Sequence, residues 1–210
     1  KNNRLAFDLN MGIFSMGFTK FGGYNTIGIN LRGNLGATLP YELFEFMKVG
    51  GKGNNTEYRI ENIGLSTNVY AEIALGHSRK ITDQWRVGGK LKFLLGGMNV
   101  SSFIDRMDVK LSDEQWRVQG TGSMNIAMKG LNIPTFEEVK DPEDYEPDEA
   151  QKMDLSEMEL NSPGLSGFGL AIDLGATYQV REDLQVSASL LDLGFISWGN
   201  NTRGKMSMKP

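Results

Sequence analysis

The residues of this chain that could do chemistry are few, and their spacing argues against an active site. His77 is the only histidine, and Ser78 follows it directly. A serine nucleophile needs a histidine base that is itself oriented by a carboxylate. Neighbouring residues of a strand point to opposite faces, which separates His77 from Ser78. We therefore predict a turn residue at His77, no catalytic residues and no enzymatic activity.

Metal ligands and cofactor motifs are equally scarce. Cysteine is absent, and the acidic residues lack the spacing and the glycine of a calcium loop. The glycine pairs at 88–89 and 96–97 are not followed by the strand-to-helix turn of a phosphate-binding loop. Basic residues are scattered rather than clustered in a patch that could bind nucleic acid. The sequence predicts no metal, no cofactor and no nucleic-acid partner.

Strict alternation of apolar and polar residues is the dominant pattern of the chain. In residues 5–13 the odd positions carry Leu, Phe, Leu, Met and Ile, and residues 62–76 alternate in the same way. Because successive side chains of a strand point to opposite faces, each such segment is predicted to be a strand with one apolar and one polar face. The predicted strands are 4–18, 26–37, 58–76, 85–97, 115–128, 166–180 and 184–198.

Strands of about ten residues with small or charged side chains on one face are typical of membrane-spanning β-barrels. The predicted fold class is therefore all-β: an antiparallel, meandering transmembrane β-barrel, or a large part of one. A soluble β-sandwich, with its apolar faces buried between two sheets, is the main alternative. Aromatic residues near the predicted strand ends favour the barrel, since such residues gather at membrane interfaces. They are Tyr24, Trp85, Trp116, Tyr178 and Trp198.

Six charged residues lie on the polar faces of the predicted strands and form the candidate site. In a closed barrel their side chains would point into the lumen, where such groups fill a small barrel or line a channel. The sequence is compatible with a structural network and with a path for a ligand. The candidate lumen-facing residues are Asp8, Arg32, Glu72, Lys90, Lys92 and Asp173.

Two long connections interrupt the predicted strands. Residues 39–56 are expected to contain a short helix with Pro40 in its first turn. Residues 130–165 form an acidic long loop, in which the segment 137–159 carries eleven acidic and two basic residues. Either this loop lies on the same side as the short turns, or it lies on the other side, in which case residues 98–128 form a hairpin that extends beyond the membrane or the strand count is wrong.

The sequences of two predicted hairpins resemble those of a known family. GFGLAIDLGATY at 167–178 precedes LQVSASLLDLG at 184–194, and YAEIALGHSR at 70–79 precedes WRVGGKLKF at 85–93. They resemble hairpins of a family of uncharacterised outer-membrane proteins from Bacteroidota-type bacteria, a family similar to the long-chain fatty-acid transporter barrels. The resemblance covers most of the chain and implies an outer-membrane barrel with transport as its activity. No segment matches the N-terminal plug of those transporters.

Three functions are compatible with this sequence. The first is passage of small molecules, including hydrophobic ones, through the outer membrane of a Gram-negative bacterium. The second is a non-transporting scaffold that binds protein partners through extracellular loops, and the third is a soluble β-sandwich binding module. The expected partners are outer-membrane lipid, a small hydrophobic ligand and loop-binding proteins. Residues 1–210 are interpreted as a single domain and as part of a longer protein whose precursor carries a signal peptide.

The acidic segment 137–159 generates a testable prediction. Its charge and its prolines, Pro142 and Pro147, leave too little apolar surface to offset the entropy lost on ordering. A variant that lacks 137–159 is expected to keep the heat-modifiable migration on gels that is common for a folded barrel. Loss of that migration would mean that the segment is an ordered part of the fold.

Overall fold

A computed structural model describes residues 2–49, 57–111, 116–132, 159–199 and 201–208. These residues form one short helix and otherwise almost only antiparallel strands, which confirms the predicted all-β, antiparallel fold. The elements are β1 (Asn2–Lys20), β2 (Gly23–Pro40), α1 (Tyr41–Val49), β3 (Glu57–Lys80), β4 (Trp85–Leu111), β5 (Trp116–Asn132), β6 (Glu159–Gly164), β7 (Gly167–Arg181), β8 (Leu184–Trp198) and β9 (Asn201–Met208).

The strands meander in chain order from β1 to β4, and then the sheet forks. The first half of β4, residues 85–96, pairs with β7, and its second half, residues 98–111, pairs with β5. Beyond the fork, β8 pairs with β7, and both β6 and β9 pair with β5. Within the described residues β1 pairs only with β2 and β8 only with β7, so the sheet is open at these edges.

Ser166 holds the fork together. Its backbone N–H donates to the carbonyl oxygen of Gly96 in β4 at 2.7 Å, and its own carbonyl accepts from the N–H of Gly199 at 2.6 Å. Its hydroxyl accepts from the N–H of Lys129 in β5 at 2.5 Å. One buried serine therefore satisfies backbone groups of β4, of β5 and of the residue that follows β8, at the point where the regular pairing pattern stops.

Trp198 covers the polar side of the same junction. Gly96, Gly167 and Trp198 are neighbours in register, and the indole ring lies over the two glycines. A Cβ at Gly96 would lie 2.5 Å from the ring, and one at Gly167 would lie 2.8 Å from it. The ring of Trp198 therefore packs on the sheet, and an interfacial position for it stays a prediction.

The part of the sheet beyond the fork has a small apolar core of its own. Tyr58, Ile60, Val109 and Leu111 are buried together, and α1 packs against them through residues that include Phe46. The rings of Phe46 and Tyr58 meet edge to face, with centroids 5.3 Å apart. Helix α1 follows β2 directly, one residue after Pro40, close to the prediction.

Exposed charges pair next to this core. The side chain of Arg106 donates to Asp108 at 2.6 Å, and that of Arg59 donates to it at 3.3 Å. These hydrogen bonds hold the pKa of Asp108 below its ordinary value. The segment beyond the fork is thus a small hairpin domain with an apolar core and a polar surface.

Short turns lie together at the opposite end of the sheet. The β1–β2 turn has two consecutive residues of positive φ, Phe21 and Gly22, as a tight hairpin turn requires. In the β3–β4 turn, the hydroxyl of Thr82 accepts from the N–H of Trp85 at 3.0 Å. Lys80 donates to Asp83 at 2.8 Å, and this hydrogen bond lowers the pKa of the carboxyl.

Some predicted boundaries need correction. His77 is not a turn residue, because β3 continues to Lys80, and its Nδ1 lies 2.9 Å from Oδ1 of Asn25. The predicted loop 130–165 is too wide, because residues 130–132 belong to β5 and residues 159–164 form β6; residues 133–158 lie outside the described part. Residues 98–111 and 116–128 pair as the hairpin that was one of the alternatives.

The Trp198 contact predicts a steric defect at Gly96. In Gly96→Ala the new methyl meets the indole ring, and overpacking of this kind costs about 1–3 kcal/mol of the free energy of unfolding. Gly175→Ala is the matched control, since a Cβ there has 3.8 Å of clearance. Urea unfolding in detergent, followed by tryptophan fluorescence, should show a lower midpoint for Gly96→Ala alone. Equal midpoints for the two variants would contradict the ring placement.

Candidate functional site

The sheet has an apolar face and a polar face. The apolar face contains one residue from each of β1, β2, β3, β4, β7 and β8 in a continuous row: Met16, Ile27, Leu75, Leu91, Ile172 and Leu193. The polar face is the opposite side, where the residues next to these in sequence point.

Burial on the two faces is the reverse of that in a soluble protein. On the polar face Glu72 is 2% exposed and Lys92 is 3% exposed, whereas on the apolar face Leu91 is 41% and Leu174 is 52% exposed. Charged side chains are almost never fully buried in soluble proteins unless they are paired. The central charges of this sheet are therefore buried, while the leucines of its apolar face are about half exposed and have no second layer over them within the described residues.

Five charged residues of the polar face form a transverse row, which we call the charge belt. It consists of Arg32 in β2, Glu72 in β3, Lys92 in β4, Asp173 in β7 and Asp192 in β8. These are five successive strands of the sheet, so the belt ties the sheet together at one height.

Lys92 is the centre of the belt. Its ammonium nitrogen lies 2.7 Å from Oδ1 of Asp173, 2.5 Å from Oδ1 of Asp192 and 3.9 Å from Oε2 of Glu72. The carboxylates of Glu72 and Asp173 are buried and depend on a nearby cation for compensation of their charge, whereas that of Asp192 is half exposed. Three carboxylates therefore share one buried ammonium, with Arg32 as the second cation of the belt.

A bulge in β8 brings Asp192 to the belt. Ile172 pairs with Leu193 but Leu174 pairs with Leu190, so β8 has one extra residue opposite Asp173. Asp192 has a φ of 56°, and its N–H donates to Oδ1 of Asp173 at 2.8 Å. The bulge turns a carboxylate toward Lys92, in agreement with the use of bulges to redirect a side chain.

The β2–β3 side of the belt is less completely bonded. Asn30 donates to Oε1 of Glu72 at 2.9 Å, and the guanidinium of Arg32 lies 3.4 Å from Oε2. Nε of Arg32 and Oε2 of Glu72 are buried without a hydrogen-bond partner among the described residues. Arg32 and Oε2 of Glu72 are therefore held together by an ion pair without a hydrogen bond.

The six predicted site residues fall into three groups. Arg32, Glu72, Lys92 and Asp173 meet in the belt. Lys90 lies opposite Asp173 in register on the same face but forms no ion pair among the described residues, and Asp8 in β1 also stands apart from the belt. That this face lines a lumen stays a prediction.

Sequence reasoning missed Asp192 and Asn30. Asp192 follows Leu190 and Leu191, and this break in alternation was the available signal of a bulge. Asn30 carries no charge, and nothing in its spacing separates it from other polar-face residues. Within the described ranges no cluster of three or more His, Cys, Asp or Glu could hold a metal ion. None of the described helices is long and apolar enough to cross a membrane.

Within the described residues the molecule is an all-β protein that consists of a single antiparallel sheet with one apolar and one polar face. The chain belongs to DUF5723, a family of unknown function, whose profile matches residues 1–209. Comparisons with curated proteins and with solved structures gave no match.

The central position of Lys92 generates a prediction about stability. Lys92→Met leaves the belt carboxylates without their shared cation, and removal of one partner of a buried ion pair costs about 3–5 kcal/mol. Lys90→Met removes the same charge two residues away, where no ion pair exists. Chemical unfolding in detergent should give a much lower free energy of unfolding for Lys92→Met than for Lys90→Met. A similar small loss in both variants would argue against the belt.

Proposed function

We propose that this chain forms the wall of an outer-membrane β-barrel that passes small molecules. The observation that carries the proposal is the reversed burial of the two faces, with buried, paired charges on one side and half-exposed leucines on the other. A sheet must cover its apolar face with another layer. The sandwich alternative would require a second sheet, and the described residues contain none. Lipid could instead cover the apolar face of a single-layer sheet.

Strand length and turn length support the same proposal. β7 and β8 have 15 residues each, whereas a tilted strand needs about 9–11 to cross the hydrocarbon core. The turns between β1 and β2, β3 and β4, and β7 and β8 are short and lie at one end. Short turns at one end are typical of outer-membrane barrels.

Aromatic residues mark the same end. The rings of Trp85 and Tyr178 are in contact, with centroids 4.8 Å apart and planes tilted by 39°. Rings of this kind sit at the level of lipid headgroups in membrane proteins. The end with the short turns would then lie at one membrane surface, and the α1 hairpin domain would extend beyond the other.

Passage is proposed because closure of the sheet would place the polar face around a lumen. The belt would then stand at a constriction, and a small solute would have to move past it. The resemblance to fatty-acid transporter barrels adds hydrophobic molecules to the candidate solutes. Flux of a small neutral sugar into liposomes that contain the purified protein tests passage directly. Absence of flux from correctly folded protein would reject it.

A second candidate function is binding of a protein partner. Helix α1 presents an exposed apolar stripe, with Tyr41 56%, Phe44 42% and Met47 73% exposed, while Phe46 packs on the hairpin domain. An exposed apolar patch outside a membrane is typical of an interaction surface. Isolation of a stable partner that is lost in Phe44→Ser would favour a scaffold over a transporter.

The orientation of the faces predicts the effect of a charge on membrane insertion. Leu91→Lys places an ammonium on the lipid side, at a cost of about 2–4 kcal/mol near the midplane. Thr177→Lys is the control, since Thr177 pairs with Arg86 on the polar face. Folding from urea into liposomes, followed by heat-modifiable migration, should be impaired only in Leu91→Lys. Equal folding of both variants would contradict the assignment of lipid to the apolar face.

A further inference from the structure

A cavity of about 370 Å³ lies on the polar face between the charge belt and the short turns. Its floor includes Gly76, Gly88 and Gly175, which contribute no side chains to fill it. Hydroxyl groups surround this floor and could donate hydrogen bonds to a solute. They belong to Thr26, Ser78, Thr177, Ser187 and Ser189.

Lys90 brings into this cavity a positive charge that forms no ion pair among the described residues. It pairs with Asp173 in register, but the carboxylate of Asp173 is already bound by Lys92 and by the N–H of Asp192. The aliphatic chain of Lys90 instead lies over Gly76, where a Cβ would be 3.1 Å from its Cγ and 3.6 Å from its Cε. The side chain thus crosses toward β3 rather than β7.

Arg86 adds a second positive charge on the same strand and face. It lines the cavity, is exposed, and has no ion pair among the described residues. Asp173 is the one carboxylate in the described lining, and it is paired with Lys92 in the belt. The Cα atoms of Arg86 and Lys90 are four residues apart on a strand, which is roughly 13 Å.

We propose that this cavity binds small solutes that carry oxyanions, with Lys90 and Arg86 as the charged groups that recognise them. Ammonium and guanidinium groups form charge-assisted hydrogen bonds with carboxylate or phosphate, and guanidinium can bind either in a bidentate manner. The hydroxyl groups around the glycine floor complete the coordination of the oxygen atoms. The proposal rests on the proposed function, because it names the class of solute that the barrel would pass.

Equilibrium binding to the purified full chain in detergent tests the site without any need for transport. Succinate and inorganic phosphate serve as probes in calorimetry at constant ionic strength, with a neutral sugar for comparison. Both anions are expected to bind, and Lys90→Gln and Arg86→Gln are each expected to raise Kd about tenfold. Lys90→Arg should retain binding. Binding of only one anion would assign the site to carboxylates or to phosphates.

Arg79→Gln is the matched control. Arg79 is an exposed arginine at the same end of the sheet, but it lies on the apolar face next to Val87 in register. Its substitution should leave Kd unchanged. Absence of anion binding by the native chain, or equal weakening in Arg79→Gln and Lys90→Gln, would overturn the proposal.

Liposome flux separates this inference from the proposed function. Anion binding without flux of any solute would reject passage and leave the site intact. Flux of succinate that is no faster than that of a neutral sugar, and that Lys90→Gln does not change, would reject the site and leave passage intact. Faster flux of succinate that falls in Lys90→Gln supports both.

Discussion

The rest of the sheet depends on the ion pairs that the ammonium group of Lys92 forms. This group compensates carboxylates from β3, β7 and β8, and through Glu72 it is linked to Arg32 in β2. A shift of one residue in the pairing of β4 would move Lys92 to the apolar face and leave three carboxylates without it. The belt therefore helps to fix the register of five strands, together with the apolar pattern of the opposite face.

The fork shows how one long strand serves two different neighbours. β4 pairs with β7 up to Gly96 and with β5 from Met98, and one unpaired residue, Gly97, lies between the two pairings. At such a point backbone groups lose their regular hydrogen-bond partners, and Ser166 takes the place of those partners. Trp198 covers the same place from the polar side, which only glycine at 96 and 167 permits. Beyond this level the sheet changes character and forms an apolar core under α1.

Alternation was sufficient to predict the strands because the side-chain period of a strand is two residues. All seven predicted strands are present, and four of the six predicted charged residues meet in the belt. Prediction failed where the period is interrupted. β6 contains Pro163 and only six residues, β4 passes through Gly97 and continues to Leu111, and Asp192 sits in a bulge. The pairing of charges depends on the register between strands that are distant in sequence, such as β4 with Lys92 and β8 with Asp192. Composition does not predict this register.

The three basic residues of β4 on the polar face before the fork divide into two kinds, and burial distinguishes them. Lys92 is 3% exposed and fully engaged, as a buried ammonium must be if it is to stay charged. Lys90 and Arg86 lie on the same strand and face, yet both are exposed and without an ion pair among the described residues. An exposed cation without a partner keeps its water shell and incurs little cost, so it is free to exchange that water for a solute oxygen. The division between structural and solute-binding charge thus follows from solvent access along a single strand, with the belt as its boundary.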